Sequence, residues 1–216
     1  MRRFDLSPKQ DHRDIKTIGI PRALLYYRYS VLWRTFFEKV GCTVVVSEPS
    51  DRALLSEGER LSIDECCLAS KLYMGHVASL IDSCDALFVP SIDNLSRYRN
   101  FCSKFQALPD LVRNTFSDRS VRIVSCEIDK IDTGISMEEG FIDIALSFGL
   151  SKKRARACFE DALHAQKKHD DALAHEQNAL LKHASKLSKK ERPLRILIAA
   201  HPYVIHDPFI GAPVVD

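Results

Sequence analysis

The sequence lacks the spacings by which metal and nucleotide sites are most readily recognised. Its seven cysteines form no C-x-x-C pair, no regular ferredoxin spacing and no zinc-finger spacing. The turn after the first apolar run holds a single glycine, so neither the G-x-G-x-x-G fingerprint nor the Walker pattern is present. No Ser–His–Asp arrangement and no paired acidic motif singles out hydrolysis. Spacing alone therefore does not identify the chemistry.

Charge and hydropathy exclude two classes of partner. The 31 basic residues nearly balance the 29 acidic ones, so no field over the whole molecule favours nucleic acid or an anionic membrane. Nowhere do about 18 apolar residues run together, and the basic start is followed by no apolar segment of signal-peptide length. We expect a cytoplasmic protein that binds neither nucleic acid nor a membrane.

The cysteines do not predict a disulfide framework, because they are odd in number, scattered, and accompanied by no export signal. Cys42, Cys84 and Cys126 lie beside apolar strand patterns, where a free thiol packs as a small hydrophobe. Four thiols then remain to be explained: Cys66, Cys67, Cys102 and Cys158.

Short apolar runs alternate with longer segments of helical period. Five runs predict strands that are buried on both faces: 17–20, 43–46, 86–89, 121–124 and 194–199. Strands of this kind belong to parallel sheets covered by helices. We therefore predict an α/β fold, with a Rossmann-like or flavodoxin-like parallel sheet and flanking helices.

Three helices are predicted between these strands. Pro21 opens the first and Gly41 closes it. The second begins at Asp64 or Glu65 and runs roughly to Asp82. The third is announced by a capping box, Ser136 with Glu139 three residues later.

Composition divides the chain into four parts. Residues 1–14 are expected to be a flexible tail, and 15–150 an α/β domain that carries the candidate cysteines. Residues 151–192 contain no glycine or proline and predict one long helix. Its apolar stripe indicates that the helix packs against the folded protein rather than standing free in solvent. Residues 193–216 read as the beginning of a second, incomplete α/β domain. We expect the strand at 194–199 to join the edge of the first sheet or to pair with a second molecule as a homodimer.

A thiol pair marks the start of the second predicted helix. Cys66 and Cys67 fall in its first turn, where unsatisfied amides and the positive dipole end stabilise a thiolate. Lys71 and His76 follow along the helix and add positive character. The alternatives are one buried and one exposed thiol, and packing roles for Lys71 and His76.

Two further candidates follow strands. Cys102 comes after the third strand, and the loops beyond parallel strands form the ligand crevice, so Cys67 and Cys102 are both expected at that edge. Arg22 follows the first strand beside Pro21, at a helix N-terminus suited to an anion such as a phosphate or carboxylate. The alternative for Arg22 is an exposed surface side chain.

Four stretches carry a family resemblance: residues 18–26 (IGIPRALLY), 64–77 (DECCLASKLYMGHV), 101–110 (FCSKFQALPD) and 201–208 (HPYVIHDP). They resemble a family of anaerobe proteins that occur alone or fused to ATP-dependent activases of 2-hydroxyacyl-CoA dehydratases. The family is similar to the dehydratase subunits and the double-cubane cluster proteins. The resemblance runs in order from about residue 15 to residue 216.

The resemblance implies a set of site residues. A family motif Glu-x-Cys-x-Pro-x-Lys falls on Cys67 and Lys71, with Ala69 in place of the proline. A second motif, Phe/Tyr-Cys-Pro-Lys, falls on Cys102 and Lys104, with serine in place of the proline. Related dehydratase subunits hold a [4Fe–4S] cluster with three cysteines, the third from a second α/β domain. Cys67 and Cys102 are then the expected ligands of an iron–sulfur cluster.

Three functions are consistent with these residues. The first is a redox protein that takes an electron from an ATP-driven activase and passes it to a substrate such as a CoA thioester. In it, four side chains would tune charge or hold the substrate: Arg22, Lys71, His76 and Lys104. The second is a non-catalytic domain that docks through the long helix onto an activase or dehydratase-type subunit, with structural cysteines. The third is a small-molecule module that uses the Arg22 turn.

Overall fold

The structure is a computed structural model that describes residues 11–188 and 190–215. The strands are β1 (Thr17–Ile20), β2 (Thr43–Val46), β3 (Ala86–Phe88), β4 (Ser91–Ser96), β5 (Arg99–Asn100), β6 (Ile123–Val124) and β7 (Glu127–Asp129). The helices are α1 (Tyr26–Val40), α2 (Arg52–Arg60), α3 (Leu68–Leu80), α4 (Ser103–Thr115), α5 (Met137–Ser147), α6 (Lys152–Lys186), α7 (Pro202–Ile205) and α8 (Pro208–Val215).

The central sheet has four parallel strands in the order β2-β1-β3-β6, flanked by helices. A smaller sheet, β5-β4-β7, continues from β3 beyond the carboxyl end of the central sheet. The predicted α/β class is thus confirmed. Because the chain moves from β1 outward to β2 and then returns to the other side of β1, the order reverses between β1 and β3. In open α/β sheets, ligands bind beyond the strand ends at such a reversal.

Aromatic side chains fill the core between the sheet and its helices. Phe36 and Phe37 of α1 are completely buried. Phe36 meets Phe141 edge-on at 4.8 Å between ring centroids, and Phe37 meets Phe88 at 4.9 Å. Edge-to-face pairs of this kind contribute about 1 kcal/mol each beyond the area that they bury.

Helices α2 and α3 cross at two glycines. A Cβ atom at Gly58 would lie 1.8 Å from the carbonyl oxygen of Lys71, and one at Gly75 would lie 2.0 Å from that of Leu54. Backbone atoms cannot yield as a side chain does, so only glycine permits this close approach. The crossing fixes the start of α3, where Cys67 lies.

The long helix α6 packs with only its first half. Gln166, buried in the middle of the apolar stripe, accepts a hydrogen bond from the backbone N–H of Leu32 in α1 (3.0 Å) and donates one to Asp170 (2.8 Å). Beyond Asp170 the helix is exposed, although Leu173 and Leu180 continue the stripe. The long helix is confirmed, but its predicted packing holds only to about Asp170. Among the described residues, no helix combines the length and the apolar character needed to cross a membrane.

One predicted strand is wrong. Residues 194–199 belong to neither sheet, and Leu194 and Leu197 are 87% and 93% exposed. An apolar run becomes a strand only where a neighbouring strand offers hydrogen bonds, and no strand within residues 11–188 and 190–215 pairs with it. The segment therefore does not join the first domain's sheet, and its pairing with a second molecule stays a prediction.

Some predicted boundaries also differ from the structure, and α1 begins at Tyr26 rather than at Pro21. The second predicted helix starts at Leu68, not at residues 64–65. It is preceded by α2, a helix that was not predicted from the sequence. Asp51 caps α2 by accepting a hydrogen bond from the Leu54 N–H. Residues 1–10 of the predicted tail lie outside the described residues. His12, in contrast, is buried, and its N–H donates to the carbonyl oxygen of Ser147.

Candidate functional site

A cavity of about 270 Å³, measured with its open mouth, lies where the order of the central strands reverses. It is lined by Leu24, Cys67, Ser70, Cys102, Lys104, Phe105 and Tyr203. Leu24 follows β1 and has a φ of +51°, a left-handed backbone that non-glycine residues seldom adopt. Strain of this kind concentrates at functional sites, which marks the cavity as the first candidate.

Cys67 enters the cavity from the N-terminus of α3. It is the N-cap residue, and its thiol donates to the Ser70 hydroxyl at 3.3 Å between Sγ and Oγ. Burial alone would raise the pKa of Cys67, but the Ser70 hydroxyl, the N–H groups of Ser70 and Ala69, and the Lys104 ammonium lower it below its ordinary value. A lowered pKa increases the fraction of thiolate, which is the form that binds metal.

Cys102 enters the same cavity from the N-terminus of α4, which it also caps. Both helices return from the carboxyl edge of the sheet toward the start of the next central strand, so their positive dipole ends meet at this edge. Cys67 and Cys102 are exposed, and Lys104 of α4 lines the same cavity. The structure thus brings together the two cysteines, with the lysine, that the sequence singled out.

Tyr203 also lines this cavity, although its motif at 201–208 had predicted no role for it. Its ring lies 6.2 Å from the ring of Phe105 and stacks on His201 at 5.1 Å with nearly parallel planes. Burial raises the pKa of Tyr203, and the negative charges of Cys67 and Cys102 raise it further, so the phenol keeps its proton. The hydroxyl can therefore donate a hydrogen bond to a bound ligand.

His76 does not line the cavity. It is completely buried, with Nδ1 2.8 Å from Ser47 Oγ and Nε2 2.9 Å from Ser50 Oγ. Burial lowers the pKa of His76 to about 4, so the imidazole is neutral at pH 7. The expectation that His76 holds a substrate is not matched by this geometry, which gives it two serine partners.

Arg22 and Lys71 also stay outside the cavity lining. The backbone N–H of Arg22 donates to Ser47 Oγ at 2.8 Å, and its guanidinium lies over the Tyr26 ring, 5.9 Å from the centroid. Its buried Nε has no hydrogen-bond partner among the described residues. Lys71 contributes its carbonyl oxygen to the α2–α3 crossing. The ligand-binding roles expected for Arg22 and Lys71 stay predictions.

The remaining thiols are less available. Cys42, Cys126 and Cys158 are buried, and burial raises the pKa of each, to about 11 for Cys42 and about 12 for Cys126. Cys84 is half-buried, and burial raises the pKa of its thiol as well. Cys66 is half-buried and does not line the cavity. Two thiols of the seven therefore meet at one site.

Three carboxylates form a second group of potential metal ligands, which no acidic motif in the sequence had predicted. The carboxylate oxygens of Asp93, Asp129 and Asp132 lie within 4.8 Å of one another. Asp129 is buried, but it accepts from Asn94 Nδ2 (2.7 Å) and from the Asp132 N–H (2.9 Å). These bonds account for Asp129 as the residue that closes the turn after β7.

Several residues of this region were not predicted from the sequence. Ser47 and Ser50 are hydrogen-bonded to His76, and Asp207 accepts a hydrogen bond from Ser50. Ser70 accepts a hydrogen bond from the Cys67 thiol. Ser70 follows Cys67 by three residues at a helix start, a spacing that a search for capping partners would have found. No local signal joins Ser50 to Asp207, because 157 positions separate them.

One family model, described as the CoA enzyme activase uncharacterised domain (DUF2229), matches residues 17–216. The match covers nearly the whole chain, so the chain belongs to this family. No curated protein and no solved structure matches it. The family resemblance stated from the sequence is thus confirmed, and the chain contains a CoA enzyme activase-related domain.

Proposed function

We propose that this member of the CoA enzyme activase-related family binds an iron–sulfur cluster, of the [4Fe–4S] type or a related one, through Cys67 and Cys102. The observation that carries the proposal is the meeting of two exposed thiols, from two separate helix N-termini, in one cavity. Iron–sulfur clusters are held by cysteine thiolates, and both helix dipoles favour that form here.

The residues present fit part of a cluster site. The two thiols supply two of the cysteine ligands that such a cluster takes, and Lys104 places a positive charge beside them. The remaining ligands would come from a second α/β domain, as the resemblance implies, or from a partner subunit. When bound, the cluster would supply one-electron transfer.

In this proposal the chain works within a 2-hydroxyacyl-CoA dehydratase system. An ATP-driven activase is the electron donor, and a CoA thioester is the acceptor. The chain's own residues orient the site: Ser70 holds the Cys67 sulfur, Lys104 offsets negative charge, and Tyr203 bounds the space in which an acceptor would approach. Family membership supports the activase connection.

Anaerobic reconstitution with iron and sulfide tests the cluster. We expect iron and sulfide to stay with the protein after desalting, and Cys67→Ser and Cys102→Ser each to lose at least half of both. Cys66→Ser is the matched control, because it removes the adjacent thiol that does not line the cavity. No bound iron in the unmodified protein, or an equal loss in Cys66→Ser, would contradict the proposal.

A second candidate function is a docking domain with structural cysteines. The exposed second half of α6 favours it, because Leu173, Leu180 and Leu181 are 46%, 65% and 52% exposed there. An activase or dehydratase-type subunit is the expected partner. Replacing Leu180 and Leu181 by glutamate should abolish co-purification with that subunit if docking is the function, and should leave reconstituted iron unchanged.

A further inference from the structure

A chain of buried hydrogen bonds runs from the turn after β1 to the C-terminal segment. Its direction is fixed by the donors at each end. The Arg22 N–H donates to Ser47 Oγ, so the Ser47 hydroxyl can donate to His76 Nδ1. At the other end, Ser50 donates to the Asp207 carboxylate and so accepts from His76 Nε2–H. The neutral imidazole with its proton on Nε2 satisfies every member of the chain.

Asp207 is the point at which the C-terminal segment joins this chain. It is 2% exposed, yet its carboxylate is fully used. Oδ2 accepts from Ser50 and from the Tyr27 hydroxyl (2.9 Å), and Oδ1 accepts from the N–H groups of Phe209 (2.9 Å) and Ile210 (3.2 Å). A buried carboxylate is tolerated only with such partners. The bonds from Phe209 and Ile210 lie within the segment, whereas those from Ser50 and Tyr27 join the segment to the domain and depend on this seating.

The chain leading to this segment offers little other attachment. Residues 190–201 are exposed throughout, and the apolar run at 194–199 belongs to neither sheet. The position of residues 202–211 therefore depends on contacts that the segment makes itself. Asp207 supplies the buried polar contacts from the turn between α7 and α8, and Tyr203, four residues earlier in α7, lines the cysteine cavity.

We infer that Asp207 is a positioning residue for the cysteine cavity: by bonding to Ser50 and Tyr27, it holds Tyr203 against the site of Cys67 and Cys102. The cavity is thus assembled from two parts of the chain, helices α3 and α4 on one side and the C-terminal segment on the other. The inference rests on the proposed function only in taking this cavity as the functional site. Its test uses metal-free protein, so a failure to bind a cluster and a failure of this inference are distinguishable.

The test measures alkylation of each cysteine by iodoacetamide, with peptide mass spectrometry, alongside amide exchange of residues 203–211. Asp207→Asn should speed that exchange about tenfold, because a hydrogen bond to a charged acceptor has this order of effect on a local opening. Cys67 and Cys102 are already exposed but share the cavity with Tyr203, so their alkylation should rise further as Tyr203 leaves it. Asp170→Asn is the matched control, since it removes a carboxylate that pairs with α1 at Arg28 and should change neither quantity.

A double-variant comparison separates positioning from general stabilisation. Tyr203→Ala alone should raise alkylation of Cys67 and Cys102 as Asp207→Asn does, and the two changes together should give no further increase. Tyr27→Phe removes one donor to Asp207 and provides a milder variant should Asp207→Asn not fold.

Two results would overturn the inference. The first is unchanged exchange of residues 203–211 or unchanged alkylation of both cavity cysteines in Asp207→Asn and Tyr27→Phe. The second is a parallel rise at Cys158, which is buried on α6 against the Lys39 carbonyl oxygen of α1 and reports loosening of the whole domain. Selective, non-additive exposure of Cys67 and Cys102 would support the inference.

Discussion

Lowering the pH should destabilise the folded protein through the single imidazole of His76. The side chain is completely buried, and burial lowers its pKa from 6.5 to about 4. Between about pH 4 and pH 6.5, His76 is therefore protonated in the unfolded chain but neutral in the folded protein. Stability from this group is fully present above pH 6.5 and is lost as the pH falls toward about 4.

The size of the effect follows from the two pKa values. A difference of one pKa unit corresponds to about 1.4 kcal/mol, so a shift from 6.5 to about 4 predicts a loss of about 3 kcal/mol in the free energy of unfolding. The hydrogen-bond pattern gives the reason. A protonated His76 has two donors, while Ser47 needs an acceptor at Nδ1 for its own hydroxyl hydrogen.

Urea unfolding followed by circular dichroism, repeated between pH 7 and pH 4, measures this loss. His76→Gln is the comparison, because glutamine keeps one donor and one acceptor but does not titrate. His12, whose pKa is also lowered by burial, contributes to both proteins and cancels in the difference. Parallel stability profiles for the two proteins over this range would refute the argument.

Three further predictions concern the scaffold, each read from urea unfolding. Gly75→Ala should lower the free energy of unfolding by about 3 kcal/mol, since its Cβ would lie 2.0 Å from the Leu54 carbonyl oxygen, and a loss below 1 kcal/mol would contradict the observed helix crossing. Phe141→Ala should lower it by about 4 kcal/mol by opening a cavity in the aromatic core, and a small loss would mean that the core collapses around it. Ser136→Ala should lower it by about 1 kcal/mol by removing the capping box with Glu139; an unchanged value would show that the cap contributes nothing.

Local signals predicted much of the architecture. The apolar runs of β1, β2 and β3 are strands in the expected places, Gly41 ends α1 in the left-handed conformation, and the Ser136 capping box is present. Each signal acts between residues that are adjacent or one turn apart. The run at 194–199 carries a similar signal and forms no strand, because pairing requires a neighbour that sequence period does not supply.

The sequence by itself predicted that Cys67 and Cys102 would lie at one edge of the sheet, because both follow loops at the ends of predicted parallel strands. Only the tertiary structure decided what surrounds them. Tyr203 lines the cavity but lies far along the chain from α3 and α4. The Ser50–Asp207 hydrogen bond joins positions 157 residues apart. Propensity and spacing act over a few residues, whereas such contacts depend on how the whole chain packs.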